Sequence, residues 1–169
     1  MKKTLCFLCQ CSWGAAQTLL GAVFWLLFCP GKRPVFWRGA LVLCWKQRAG
    51  ASLGLFLFLP EGLDGPGCPA LFRAMRVHEY GHFLQSMLLG PLYLPLIALP
   101  SALWCFLPAC VRLRERRKMS YYDFFPERWA DLWGSRAAGE PSMGNLPVHG
   151  REKKECGISR EKNGEESRF

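Results

Sequence analysis

Acidic residues are missing from the first 60 positions: Glu61 is the first, and Lys2, Lys3, Lys32, Arg33, Arg38, Lys46 and Arg48 all precede it. Lys, Arg, Asp and Glu are all absent from Thr4 to Gly31, and again from Tyr80 to Val111. Histidine is scarce, with 3 in 169 residues. A chain of this length excludes large α/β barrels and multidomain enzymes. With 50% hydrophobic and 21% charged residues it is not disordered throughout. The 9 cysteines lack the spacing of a small secreted disulfide scaffold. Two classes remain: a compact soluble domain with an unusually apolar interior, or a small membrane protein.

What is there favours the membrane. Of a net charge of +9, +7 lies before Glu61, and 15 basic against 13 acidic residues make up the rest. The basic residues bracket apolar runs rather than forming one stripe, which fits a bilayer better than nucleic acid. The uncharged run from residue 4 to 31 is long enough to cross a hydrocarbon core of roughly 30 Å. Residues 1–33 are therefore expected to be an N-terminal transmembrane helix. A cleaved signal or a buried helix are the alternatives.

Val35–Trp45 and Ser52–Leu59 are rich in β-branched, aromatic and leucine residues, and the link at 46–50 is polar. They read as a small β-hairpin. A loop follows at 61–69, and a helix is expected from Ala70 to Leu89, ending at Gly90-Pro91. The apolar stretch Leu92–Leu107 is broken by Pro95, Pro100 and Pro108, so a kinked span and a re-entrant pair of helices both stay open. Arg112–Lys118 forms a basic collar suited to lipid headgroups. With Lys32, Arg33 and their neighbours also reading as cytoplasmic, the intervening chain would enter and leave on one side. This favours the re-entrant form, with the central loops in the cytoplasm of an integral cell-membrane protein. Tyr121–Trp133 reads as a short Glu-bearing helix with Pro126 in its first turn. Residues 135–169 read as a disordered polar tail. The organisation expected is thus a mainly α, membrane-associated protein: anchor (1–33), central domain (34–134) and tail (135–169).

One constellation carries chemistry. His78-Glu79-Tyr80-Gly81-His82 is an H-E-x-x-H sequence on the predicted helix. Residues i and i+4 share a helix face, so His78 and His82 can converge on one metal ion, and Glu79 stands beside them to take a proton from the water it holds. Zn²⁺ lowers the pKa of such a water toward 7 and equips the site for amide hydrolysis. A third ligand is required. His149 is the remaining histidine but sits in the tail. Glu127 is the stronger candidate, because Asp131 follows one turn later and can orient the outer nitrogen of a ligating histidine. Gln85, one turn beyond His82, either meets substrate or makes a structural hydrogen bond. Gly81 is a poor helix former, which points to close packing against the backbone there.

These residues carry a resemblance. Residues 35–134 resemble a family of small, largely uncharacterised bacterial membrane proteins. That family shows a histidine-glutamate-aromatic-glycine-histidine helix with a following glutamine, matched by His78–His82 and Gln85. It continues with a Gly-Pro-Leu break (Gly90, Pro91, Leu92) and a Pro-Ser-Ala stretch (Pro100, Ser101, Ala102). It ends with Tyr122, Asp123, Glu127, Ala130, Trp133 and Gly134. The resemblance implies a membrane-associated protein with a metallopeptidase-like site and no agreed substrate. Phe125-Pro126-Glu127 replaces the usual Trp-Phe-Glu, yet Glu127 keeps its place.

The expected activity is therefore that of a zinc metallopeptidase acting on a peptide or protein substrate, with membrane lipid as a partner and no nucleic acid. A non-catalytic membrane structural or interaction protein is the main alternative. A soluble metallopeptidase whose apolar segments form its core is another. Cys6, Cys9 and Cys11 have ligand-like spacing but lie in the first apolar run, where cysteine acts as a small hydrophobe.

Overall fold

The computed structural model describes residues 3–63 and 69–146. Its helices are α1 (Lys3–Ser12), α2 (Ala15–Phe28), α3 (Pro69–Leu89), α4 (Leu99–Phe106), α5 (Pro108–Arg117) and α6 (Phe125–Ala138). Four strands, β1 (Val35–Trp37), β2 (Ala40–Trp45), β3 (Ala51–Leu53) and β4 (Phe56–Pro60), form one mixed sheet in the order β1-β2-β4-β3.

The N-terminal apolar run is two helices rather than one, turning by 96° between Ser12 and Ala15. Two glutamines explain the break. Gln10 and Gln17 are both fully buried, and a buried amide must find partners. Gln10 Nε2 donates to the Phe83 carbonyl at 3.2 Å and its Oε1 accepts from Ser86 Oγ at 3.1 Å. Gln17 Nε2 donates to Ser86 Oγ at 3.0 Å and to the Gly90 carbonyl at 2.9 Å. Reaching these partners on α3 and at Gly90 turns the chain at Gly14, with Gln17 Oε1 left unpartnered.

Residues 35–60 do not form the single hairpin expected from their two apolar runs. Each run carries its own tight turn. Arg38 (φ 49°) and Gly39 (φ 95°) both adopt the left-handed conformation that a two-residue I′ turn demands. Gly54 (φ 58°) does the same between β3 and β4. The result is two hairpins whose inner strands, β2 and β4, pair in parallel from Leu41↔Phe56 to Trp45↔Pro60. The link at 46–50 carries the chain past the end of β4 to the outer edge.

Side chains alternate across this sheet as period-two geometry requires. Ala40, Val42, Leu57 and Leu59 meet Tyr80 and Phe83 of α3. Leu43, Trp45, Phe56 and Phe58 face the other way and pack on Phe24 and Trp25 of α2. The sheet is thus covered on both faces, which explains why β4 is buried at all five positions.

On its far side α3 meets α6 at backbone contact. A Cβ at Gly81 would fall onto the Ala130 carbonyl, and one at Gly134 onto the Val77 carbonyl. Gly134 does not end α6, which continues to Ala138. The chain then turns through Met143–Asn145 back toward it, so residues 135–146, expected to open a disordered tail, include the end of α6 and a 3₁₀ turn. Residues 147–169, including His149, lie outside the described set. A 3₁₀ turn at Gly90–Leu92 and a π-helical stretch at Leu94–Ala98 accommodate Pro91 and Pro95 before α4.

Among the described residues no single helix is long and apolar enough to cross a membrane. Two bent pairs have the length and hydropathy of a broken span: Thr4–Ser12 with Ala15–Phe28, and Pro69–Leu92 with Leu94–Phe106, the latter bent by 120°.

Gly81→Ala and Gly134→Ala should each destabilise the protein by about 3 kcal/mol, since the added methyl meets backbone that cannot move aside. Thermal denaturation of the two variants checks this. An unchanged midpoint in both would show that α3 and α6 do not meet so closely.

Candidate metal centre

The α3–α6 contact sets the distance between the two halves of the site. His78 and His82 lie one turn apart on α3, and Glu127 and Asp131 one turn apart on α6. Pro126 in the first turn of α6 leaves the helix start intact, because no intrahelical donor is needed there. His78, Glu79, His82 and Asp131 are 4–5% exposed and Glu127 not at all.

The imidazoles are held by their Nδ1 atoms. His78 Nδ1 lies 2.9 Å from Asp131 Oδ1, a pure acceptor, so it carries the proton. His82 Nδ1 lies 2.8 Å from Gln85 Oε1, and the Gln85 amide is oriented by its own Nε2, which donates to the Pro126 carbonyl at 3.0 Å. In their neutral form both rings keep a lone pair on Nε2. These point to one place, 3.1 Å and 3.4 Å from the same oxygen, Glu127 Oε2. Two neutral imidazole acceptors and one carboxylate oxygen have no proton to share, so a cation satisfies the arrangement. The ligand atoms of His78, His82 and Glu127 all lie within 4.8 Å of one another, as a shared metal ion requires. It is the one such group of His, Cys, Asp or Glu found among the described residues.

Glu79 adds a second sign. Its carboxylate is buried against Gly50, where any Cβ would collide with it, and its Oε2 has no hydrogen-bond partner. An orphaned carboxylate oxygen on the residue next to His78 leaves a buried acceptor free for a ligand. Burial alone would push the Glu127 carboxyl up, but when His82 and His78 are protonated their charge and N–H donation outweigh it and hold Glu127 well below the usual carboxylate range, and a metal ion would take the place of those two protons. The ionised form is the one that ligates a metal.

The structure also brings in residues to which the sequence reading assigned no role. Ser101 of α4 donates to Glu127 Oε1, and Tyr121 Oη lies 3.2 Å from Ser101 Oγ. The Tyr122 ring stands edge-on to His78 with centroids 5.2 Å apart. Asp131 accepts from the Ser142 hydroxyl and, at 3.1 Å, from the Gly144 amide. Ser101 and Tyr122 belong to the quoted pattern, but nothing in their spacing marks them as neighbours of a metal. Ser142 and Gly144 fell in the stretch read as tail. Among the described residues no cysteine joins this group: Cys6 and Cys29 are buried among the apolar side chains of the two cores, while Cys68 and Cys156 lie outside the described residues.

The buried His78-Glu79-x-x-His82 helix with Glu127 reproduces the ligand geometry of a zinc metallopeptidase, and it suggests a zincin-like fold around the site. Compared with known protein families, curated proteins and solved structures, the chain matches none.

Proposed function

We propose that this chain is a zinc-dependent peptidase working at the surface or within the bounds of a cell membrane. The observation that carries the proposal is the convergence of the His78 and His82 Nε2 atoms on Glu127 Oε2, with an unpartnered oxygen on the neighbouring Glu79. His78, His82 and Glu127 are the proposed ligands, with Asp131 and Gln85 orienting the two rings. Zn²⁺ at this point would acidify a water and polarise the scissile carbonyl. Glu79 takes a proton from the attacking water as its oxygen bonds to the carbonyl carbon. Glu79 then delivers that proton to the departing amide nitrogen as the C–N bond breaks. The products are one carboxylate and one amine.

Membrane association rests on the distribution of exposed side chains. Leu19, Leu26 and Leu27 of α2, and Leu99, Leu103 and Phe106 of α4, are largely exposed. A soluble protein rarely leaves so much apolar surface open. α5 has no buried residue and carries Arg112, Arg114, Arg116 and Arg117, a charge suited to anionic headgroups on the cytoplasmic side. In this reading residues 1–33 dock the protein, 34–134 form the catalytic domain, and lipid and an apolar peptide or protein are the partners. It also supports a place in the resembled family of small bacterial membrane proteins.

Purified wild type is expected to hold zinc in equimolar amount. His78→Ala and Glu127→Ala should lose far more affinity than the ~10–100-fold typical of an outer-shell change, and equal metal content in all three would sink the proposal. Glu79→Gln should keep its zinc but lose roughly 10²–10⁴ in peptide hydrolysis; full activity in that variant would remove Glu79 from the chemistry. In a flotation assay the protein should rise with vesicles containing anionic phospholipid, more at low salt than at high. Recovery in the aqueous fraction without detergent would favour a soluble peptidase.

A further inference from the structure

Resting on that reading, we propose that Ser101 is the positioning residue of the third ligand: it engages Glu127 Oε1 so that Oε2 alone turns to the metal. Each of the other ligands has such a partner. His78 has Asp131 and His82 has Gln85, both on the elements that carry the ligands themselves. Glu127 has no partner from α3 or α6 for its second oxygen.

The need is physical. A carboxylate that gives one oxygen to a metal keeps lone pairs on the other, and Glu127 is fully buried. An unsatisfied charged acceptor in such a place costs more than an unsatisfied neutral one. Unheld, the carboxylate would rotate, bind through both oxygens or draw in water, and each of these disturbs the metal's coordination. The Ser101 hydroxyl answers this need directly.

The direction of the hydrogen bonds follows from counting protons. Ser101 has one hydroxyl proton, and Glu127 can only accept, so that proton goes to Oε1. Tyr121 Oη, at 3.2 Å, must then donate to Ser101 Oγ. Tyr121 is suited to remain a donor: burial and the nearby Glu127 charge push its phenol well above the ordinary tyrosine range, so it stays protonated. Its backbone carbonyl accepts from Trp104 Nε1 at 3.0 Å, and the Arg114 guanidinium lies 5.3 Å from its ring centre. The relay Tyr121→Ser101→Glu127 is therefore anchored at its outer end by α4 and α5.

The test is zinc affinity of the full-length chain in one detergent, read by competition with a chelator. Ser101→Ala is expected to bind zinc about 10–100-fold more weakly than wild type, the usual cost of losing an outer-shell partner. Ser101→Thr, which keeps the hydroxyl, should stay close to wild type. In a Glu127→Ala background Ser101→Ala should cause no further loss, because Ser101 acts through Glu127. Unchanged affinity in Ser101→Ala, a threonine variant as weak as alanine, or an equal loss in both backgrounds would each overturn the assignment. Should Ser101→Ala not fold, Tyr121→Phe replaces it: weakened zinc binding supports the relay, and wild-type binding overturns it. A wild type that binds no zinc would instead defeat the metal site itself, an outcome distinct from these.

Discussion

The backbone contact between α3 and α6 governs everything else. Two helices normally pack with axes 8–10 Å apart, spaced by their side chains. Here Gly81 meets Ala130 and Gly134 meets Val77, each glycine leaving room for the opposite carbonyl. The ligands project from the residues around these contacts: His78 and His82 flank Gly81, and Glu127 and Asp131 flank Ala130. At this spacing Glu127 brings one oxygen to 3.1 Å and 3.4 Å from the two imidazole Nε2 atoms of the other helix. The glycines thus act on the site through distance alone.

Electrostatics explains why such an arrangement calls for a cation. Glu79, Glu127 and Asp131 are gathered in a region almost closed to water, beside two imidazoles whose Nδ1 atoms are already committed. With neutral rings and all three carboxyls ionised the cluster would carry three negative charges, and burial already pushes the Glu79 carboxyl up. Burying them uncompensated is prohibitive, and protonating the rings relieves it only by spending the Nε2 lone pairs. A divalent ion removes most of the imbalance while using every lone pair that points inward. Asp131 is meanwhile stabilised from behind by Ser142 and the Gly144 amide, so it can face His78 without competing for the metal.

Much of this site was legible in the sequence, for identifiable reasons. The i, i+4 spacing of His78 and His82 follows from helix geometry, and a Glu four residues before an Asp repeats that logic on a second helix. Gly81 was legible as a close approach because a glycine in mid-helix needs a cause. The fold around the site was less so. Val35–Trp45 looks like one strand, but the left-handed pair at Arg38-Gly39 divides it, and no alternation of residue types reveals that β2 pairs with β4 in parallel. The N-terminal run looks like one span because hydropathy averages over Gln10 and Gln17. Those two amides decide the bend once α3 is there to receive them. Ser101 was invisible for the same reason: its role depends on α4 returning over α6, which is a tertiary fact.

α4 joins the chemistry to the surroundings. Its inner side brings Ser101 to Glu127 and Trp104 to the Tyr121 carbonyl, while Leu99, Leu103 and Phe106 on the same short helix remain open. The stretch before it is π-helical, and Pro95 and Pro100 each remove one backbone donor near its root. A helix so built is held in place by what it touches on its two sides. On one side that is the carboxylate of the metal site. On the other, an apolar medium covering those three side chains would favour the seated position through the area it removes from water. The geometry at Glu127 and the nature of the exterior are therefore coupled through a single helix of eight residues. In the proposed function this coupling supplies a physical reason for a buried hydrolytic site and an apolar surface to occur together in one small chain.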